Sequence, residues 1–117
     1  MTILTQATRQ NADRNIELRA ERRPDFLRVA IRGEASFDLA EVLSAQLLRV
    51  PLDGASLVVL DLTGLTFLCS LAMGALLEYR RGMARRGVDV RLANVQPRVW
   101  QALETSGLGK LFERIDL

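Results

Sequence analysis

The sequence predicts an α/β fold: a mixed, mostly parallel sheet of about four to five strands, an N-terminal hairpin and about three to four helices. Three observations point there. Two apolar runs flank a proline turn near the start. A continuous apolar run, Leu57-Val58-Val59-Leu60, reads as a central strand buried on both faces. From there to the C-terminus, helical and strand periodicities alternate.

Each element follows from local pattern. Residues 1–14 are polar without a clear period and are expected to form a tail, leaving 15–117 as the domain. Ile16-Glu17-Leu18-Arg19-Ala20 alternates as a half-buried strand does. Residues 21–25 break it, with Pro24 fixing φ and offering no amide donor. Phe26 to Ile31 resumes as a strand with Leu27, Val29 and Ile31 on one face, which makes the pair a hairpin. After a loop over 33–37, Asp38 is placed to cap a helix, its carboxylate accepting from first-turn amides. Leu39, Val42, Leu43, Gln46 and Leu47 continue at helical spacing, and the helix should end near Arg49, ahead of Pro51.

Beyond the central strand, residues 62–69 are expected to be a connecting loop with apolar anchors. Ser70 to Arg86 reads as a helix, with Met73, Leu76, Leu77, Met83 and Ala84 near one face and Glu78, Arg81 and Arg85 toward water. Gly74 and Gly82 lower its helix propensity, which close approach to the sheet or fraying would explain. Gly87 is a stop. Val88 to Leu92 alternates as a strand. Pro97 suits the first turn of a third helix that Gly107 ends. Leu108, Leu111, Phe112 and Ile115 close the chain as a short strand or a helical turn.

Composition narrows the function. A chain of 117 residues suits one domain. It contains no histidine, which excludes a Ser-His-Asp triad, a Cys-His dyad and any histidine metal ligand. Its single cysteine, Cys69, excludes an intrachain disulfide and a cysteine zinc site. The expectation is a protein that is not an enzyme and carries no metal or other cofactor. Sixteen cationic side chains oppose 14 acidic ones, evenly spread along the chain, so there is no basic arm. Arg80, Arg81, Arg85 and Arg86 spread around their helix at about 100° per residue, as a solvated helix end does. The aromatics are scattered and form no stacking platform, and the glycines form no GxGxxG loop. Direct nucleic-acid binding is therefore not expected. The longest apolar stretch, Leu65 to Leu77, is interrupted by Thr66, Ser70 and Gly74 and is shorter than the ~20 residues of a membrane helix. With no secretory pattern at the N-terminus, the expected location is cytoplasmic, without membrane insertion.

One stretch is more specific. Leu60-Asp61-Leu62-Thr63-Gly64-Leu65-Thr66-Phe67-Leu68-Cys69-Ser70-Leu71-Ala72-Met73-Gly74 resembles the signature of the STAS domain family, which includes bacterial anti-sigma factor antagonists. Members of that family have a hydrophobic strand, then Asp-Leu-Ser/Thr-Gly, then an aromatic, an apolar residue and Asp-Ser-Ser/Thr-Gly opening a helix. Val58 to Gly64 matches, as do Phe67 and Gly74. Ile31-Arg32-Gly33-Glu34 is similar to the family's strand-ending Gly-Glu. Leu92 to Val95 and Leu103 to Phe112 are similar to its third-helix region, so the resemblance spans residues 16–115. The chain departs from the pattern at Cys69, where the family has Asp, at Leu71 and Ala72, where it has Ser/Thr and Gly, and at Ser36, often Asp.

The resemblance implies a regulator that binds an anti-sigma factor, itself an ATP-using serine kinase, and so frees a sigma factor for transcription. The kinase would phosphorylate Ser70 and end the contact, and a serine phosphatase would reset it. The docking surface would centre on Cys69, Ser70, Leu71 and Met73, flanked by Glu34 and Ser36. Read from spacing alone, Ser70 at a loop-to-helix junction is a helix cap, and Cys69 is a small apolar filler or a thiol activated by a helix N-terminus. A second reading is a STAS interaction subunit without a phosphoswitch, in a signalling assembly or on the ATPase of a transporter. Leu71 and Ala72, which make the helix start apolar, favour it. A small enzyme or nucleotide-binding protein is a third reading, against which the missing histidine and phosphate loop count. Homodimer formation through the sheet edge or apolar helix ends stays open.

Overall fold

The structure, a computed structural model, describes residues 3–11 and 14–117. Its strands are β1 (Ile3–Asn11), β2 (Arg14–Arg22), β3 (Leu27–Ala35), β4 (Leu57–Asp61), β5 (Leu65–Leu68), β6 (Asp89–Ala93) and β7 (Glu113–Ile115). Its helices are α1 (Ala40–Arg49), α2 (Ser70–Arg85) and α3 (Pro97–Thr105). The strands form one sheet in the order β1-β2-β3-β4-β6-β7, with β5 also paired to β3. β1, β2 and β3 run as an antiparallel meander, which contains the expected hairpin. All pairings beyond β3 are parallel. The α/β class and mixed sheet are as the sequence predicts, but the sheet holds more strands.

One addition is β1, which runs where the sequence pattern places a polar tail. Its backbone pairs with β2 from Ile3 opposite Glu21 to Arg9 opposite Asn15. An outer strand needs no apolar period, because its contribution is to satisfy the amides and carbonyls on the free side of β2. Periodicity therefore carries no signal for it. The rest of that segment, residues 1–2 and 12–13, lies outside the described residues.

The other addition, β5, occupies part of the expected connecting loop. It is four residues long, with Leu65 and Leu68 buried and Thr66 and Phe67 exposed. Its place is created by Gly33. Residues Leu27 to Ala30 of β3 pair with β4, and Gly33 to Ala35 pair with β5, with a register shift between Gly33 and Glu34. Gly33 has φ +111°, and a Cβ there would sit 2.3 Å from the Asn15 carbonyl oxygen. Only glycine fits this crossing of backbones.

The core lies on one face of the sheet. Ile16 and Leu18 of β2, Val29 and Ile31 of β3, Val58 and Leu60 of β4 and Leu92 of β6 pack with the buried faces of the helices. On α2 the buried residues are Ala72, Met73, Leu76, Leu77, Tyr79 and Met83; Ala84, expected inside, is exposed. The opposite sheet face is charged. Arg28 pairs with Asp61, and Arg91 with Asp89 and Glu113. Val59 is fully buried as predicted, yet it lies in register between Arg28 and Arg91.

Two caps differ from expectation. Asp38 does not cap α1: it lies inside a single 3-10 turn, Phe37–Leu39, and α1 begins after Leu39 with no side-chain cap. Ser70 does not cap α2; Cys69 does. At the C-terminus both sequence alternatives occur in succession, a 3-10 turn at Gly109–Leu111 and then β7. Arg114 of β7 stacks 3.8 Å above the Trp100 ring of α3.

Candidate functional site

The site is built outward from Asp61, the last residue of β4. Its side chain is almost fully buried. One oxygen accepts from Arg28 Nε at 2.9 Å and Nη2 at 2.6 Å. The other accepts from the Thr63 amide at 3.0 Å, the Thr63 hydroxyl at 2.6 Å and Asn94 Nδ2 at 3.2 Å. Burial alone would raise this carboxyl's pKa. The bonds from Thr63, Arg28 and Asn94 outweigh it and hold the group below its ordinary value. Asp61 is therefore a charged staple that ties the loop after β4 to β3 and to the end of β6.

That loop is held on its other side as well. Gln96 Nε2 donates to the Thr63 carbonyl at 2.7 Å, and the Gly33 amide donates to the Gly64 carbonyl at 3.0 Å. The Thr66 hydroxyl donates to the Gly33 carbonyl at 3.2 Å. β5 then runs along the end of β3, and the Cys69 amide donates to the Ala35 carbonyl at 2.9 Å. The start of α2 is thus set against the turn that follows β3.

Cys69 turns the chain into α2. Its sulfur accepts from the Ala72 amide at 3.4 Å and its side chain is buried. Because Cys69 caps the helix, Ser70 is released from that role. Ser70 is the first residue of α2, exposed, and its hydroxyl makes no hydrogen bond among the described residues. Its neighbour Leu71 is 51% exposed, and Phe67 of β5 and Phe37 of the turn after β3 are 44% and 66% exposed. Glu34, exposed, lies opposite Phe67 in the β3–β5 pairing.

The six expected docking residues divide evenly. Glu34, Ser70 and Leu71 reach the surface. Ser36, Cys69 and Met73 are buried and support it from beneath. The Ser36 hydroxyl donates to Asp38 Oδ1 at 2.7 Å, and Met73 sulfur accepts from the Ser106 hydroxyl at 3.3 Å. Sequence reasoning overlooked Phe37 and Phe67 as surface residues. An aromatic directly after the loop serine is a usable signal for Phe37 only with the Ser36–Asp38 turn in place. Phe67 needed β5. Among the described residues there is no cluster of potential metal ligands, and no helix is long and apolar enough to cross a membrane. What the surface offers chemically is an unbonded hydroxyl beside exposed Leu71, on a site whose elements also expose Phe37, Phe67 and Glu34.

No curated protein matches the sequence. Among solved structures the fold is similar to an anti-sigma factor antagonist from Mycobacterium paratuberculosis, at 19% identity and TM-score 0.71, covering 97% of this chain and 85% of that one. It is similar to the Bacillus cell fate determinant SpoIIAA in its phosphorylated form, at 20% identity and TM-score 0.62, covering 86% and 90%. It is also similar to the STAS domain of a SulP transporter from Vibrio cholerae, at 20% identity and TM-score 0.62, covering 83% and 78%. The family profile of the STAS domain matches residues 17–117, from β2 through Asp61 and the α2 start to the C-terminus. The chain therefore belongs to the STAS domain family.

Proposed function

We propose that this STAS domain is a partner-switching regulator, not an enzyme, whose docking surface is the start of α2 and whose switch is Ser70. The observation that carries the reading is the exposed Ser70 hydroxyl, released from capping by Cys69 at the start of a helix whose next residue, Leu71, is also exposed. In this reading the unmodified surface binds an anti-sigma factor that is also a serine kinase, and a sigma factor is freed. The kinase transfers the γ-phosphoryl group of ATP to Ser70: the Ser70 oxygen bonds to phosphorus, the β–γ bridging bond breaks, ADP leaves, and the hydroxyl proton passes to the kinase's base. A serine phosphatase reverses the modification by hydrolysis.

The physical effect is local. A phosphoserine carries about −1.5 to −2 charges at pH 7. The free amides at the start of α2 tolerate an anion, so the fold survives. An interface there does not tolerate it, because a partner docked on Phe67 and Leu71 would have to bury that charge. A loss of about 3 kcal/mol weakens binding more than a hundredfold. The likeness to SpoIIAA, solved in unphosphorylated and phosphorylated forms, supports the reading.

The test is to incubate the protein with ATP and its cognate serine kinase, and to locate phosphate by mass spectrometry. Phosphate on Ser70, and a Ser70→Asp variant that loses kinase binding, are the expected results. Unmodified Ser70, or normal binding by Ser70→Asp, would exclude the switch. Leu71 and Ala72 in place of hydroxyl and glycine favour a second reading, a constitutive STAS subunit of a signalling assembly or transporter ATPase. Co-purification with a transport ATPase, unaffected by Ser70→Asp, would establish that one instead.

A further inference from the structure

A groove of about 350 Å³ runs between α1 and α2, away from the Ser70 hydroxyl. Ala40 and Ser44 line it from α1, and Gly74, Ala75 and Leu77 from α2. Leu71 stands at one end. Leu48, 68% exposed, lies one turn past Ser44 on the same face of α1. On each wall is one exposed carboxylate, Glu41 on α1 and Glu78 on α2.

Gly74, on the groove floor, is a residue that close packing does not explain. A glycine inside a helix is unfavourable relative to alanine. Close packing would justify it, but a Cβ on Gly74 would meet nothing within 4 Å. The space above it opens into the groove. Glycine there keeps the floor low, at the expense of the helix.

We propose that this groove takes the apolar face of a partner helix whose flanking residues are basic. The proposal rests on reading the α2 start as a docking surface and extends that surface along the helix. An apolar side chain enters between Ala40 and Gly74, where a helix approaches closest over small residues. The basic flanks pair with Glu41 and Glu78, which stand on opposite walls. Glu78 now bonds Arg81 at 3.2 Å, an exposed pair that a partner's arginine can replace at little cost. An acidic partner helix meets both carboxylates and is rejected.

Two synthetic amphipathic helices of about 18 residues serve as probes, one with arginines and one with glutamates flanking the same leucine face. Backbone amide NMR spectra of the full chain are followed during titration. The arginine peptide should shift the amides of Glu41, Ser44, Leu71, Gly74, Ala75 and Glu78, and the glutamate peptide should not. Gly74→Leu, which has room to fill the groove, should weaken binding by about tenfold or more while circular dichroism stays helical. Glu41→Arg with Glu78→Arg, both at exposed sites, should reverse the peptide preference. Equal binding of the two peptides, no binding, shifts confined elsewhere, or indifference to Gly74→Leu would overturn the proposal. The two readings fail separately. Kinase phosphorylation of Ser70 with no arginine-peptide binding removes the groove alone. Groove binding without phosphorylation leaves the groove standing and removes the switch.

Discussion

The guanidinium of Arg28 closes on a single oxygen of Asp61, through Nε at 2.9 Å and Nη2 at 2.6 Å. The pair joins β3 to β4 on the charged sheet face, and Asp61's other oxygen anchors Thr63 and Asn94. One carboxylate thereby holds three segments, and the loop that launches β5 and α2 depends on it.

Asp61→Asn should accordingly destabilise the fold by about 1.5–3 kcal/mol at pH 7, the range for hydrogen bonds to a charged group. The pH dependence has a definite sign. The folded-state pKa lies below 3.8, so Asp61 contributes stability above that value, and the contribution is lost as pH falls through the depressed folded pKa. Urea denaturation from pH 7 downward checks both points. The variant should start lower and lose less on acidification; an acid limb identical to that of the wild type would assign the effect to other carboxylates.

Most of the fold is legible because its parallel strands and helices carry their periods in apolar residues. Val58 and Leu60 predict a central strand, and Leu43 and Leu47 a helix face. What the sequence hid was settled by backbone rather than side-chain pattern. β1 is recruited by the open edge of β2, and β5 by the register shift at Gly33. The site shows the same division. Ser70 stands out by motif resemblance, but the cap is Cys69, because helix φ/ψ begins one residue earlier than the hydroxyl preference suggests. Sulfur is a weak acceptor, so propensity reasoning does not look for a cysteine there. Burial then separated Ser36, Cys69 and Met73 from the residues a partner can touch.

Gly33→Ala should be the most damaging glycine substitution. Its φ of +111° carries strain of about 1–3 kcal/mol for any other residue. The contact of a Cβ with the Asn15 carbonyl at 2.3 Å adds to that, and it can be relieved only by separating β2 from β3. Gly54→Ala is the control: its φ is +79°, but a Cβ there meets nothing. Chemical denaturation of both variants should show the larger loss at Gly33. Equal losses would mean that backbone strain, not the β2 crossing, sets the requirement.

The buried Cys69 thiol should resist modification in the native state despite its place at a helix start. Ellman's reagent should react slowly in buffer and promptly in denaturant. Cys69→Ser keeps an acceptor for the Ala72 amide and should remain within about 0.5 kcal/mol of the wild type, whereas Cys69→Ala removes it and should lose about 1 kcal/mol. Rapid native labelling would show that the α2 start opens, and would make Cys69 part of the accessible docking surface.

Tyr79 provides the alkaline counterpart to Asp61. Its ring packs in the core from α2, and its hydroxyl finds no hydrogen-bond partner among the described residues. Burial pushes its pKa up to about 12, with nearby Arg86 pulling the other way. The unfolded value is near 10, so the unfolded chain releases this proton first. Stability linked to Tyr79 is intact below pH 10 and falls as pH rises toward 12. Tyr79→Phe removes both the titration and the unsatisfied buried hydroxyl. It should leave stability at pH 7 unchanged or raised by about 1 kcal/mol, since burying an unpaired hydroxyl is unfavourable. Thermal melts at pH 7 and between pH 10 and 12 should therefore diverge, with the phenylalanine variant increasingly the more stable of the two. Parallel decline of both proteins above pH 10 would show that the hydroxyl reaches solvent and that the alkaline limb belongs to other groups.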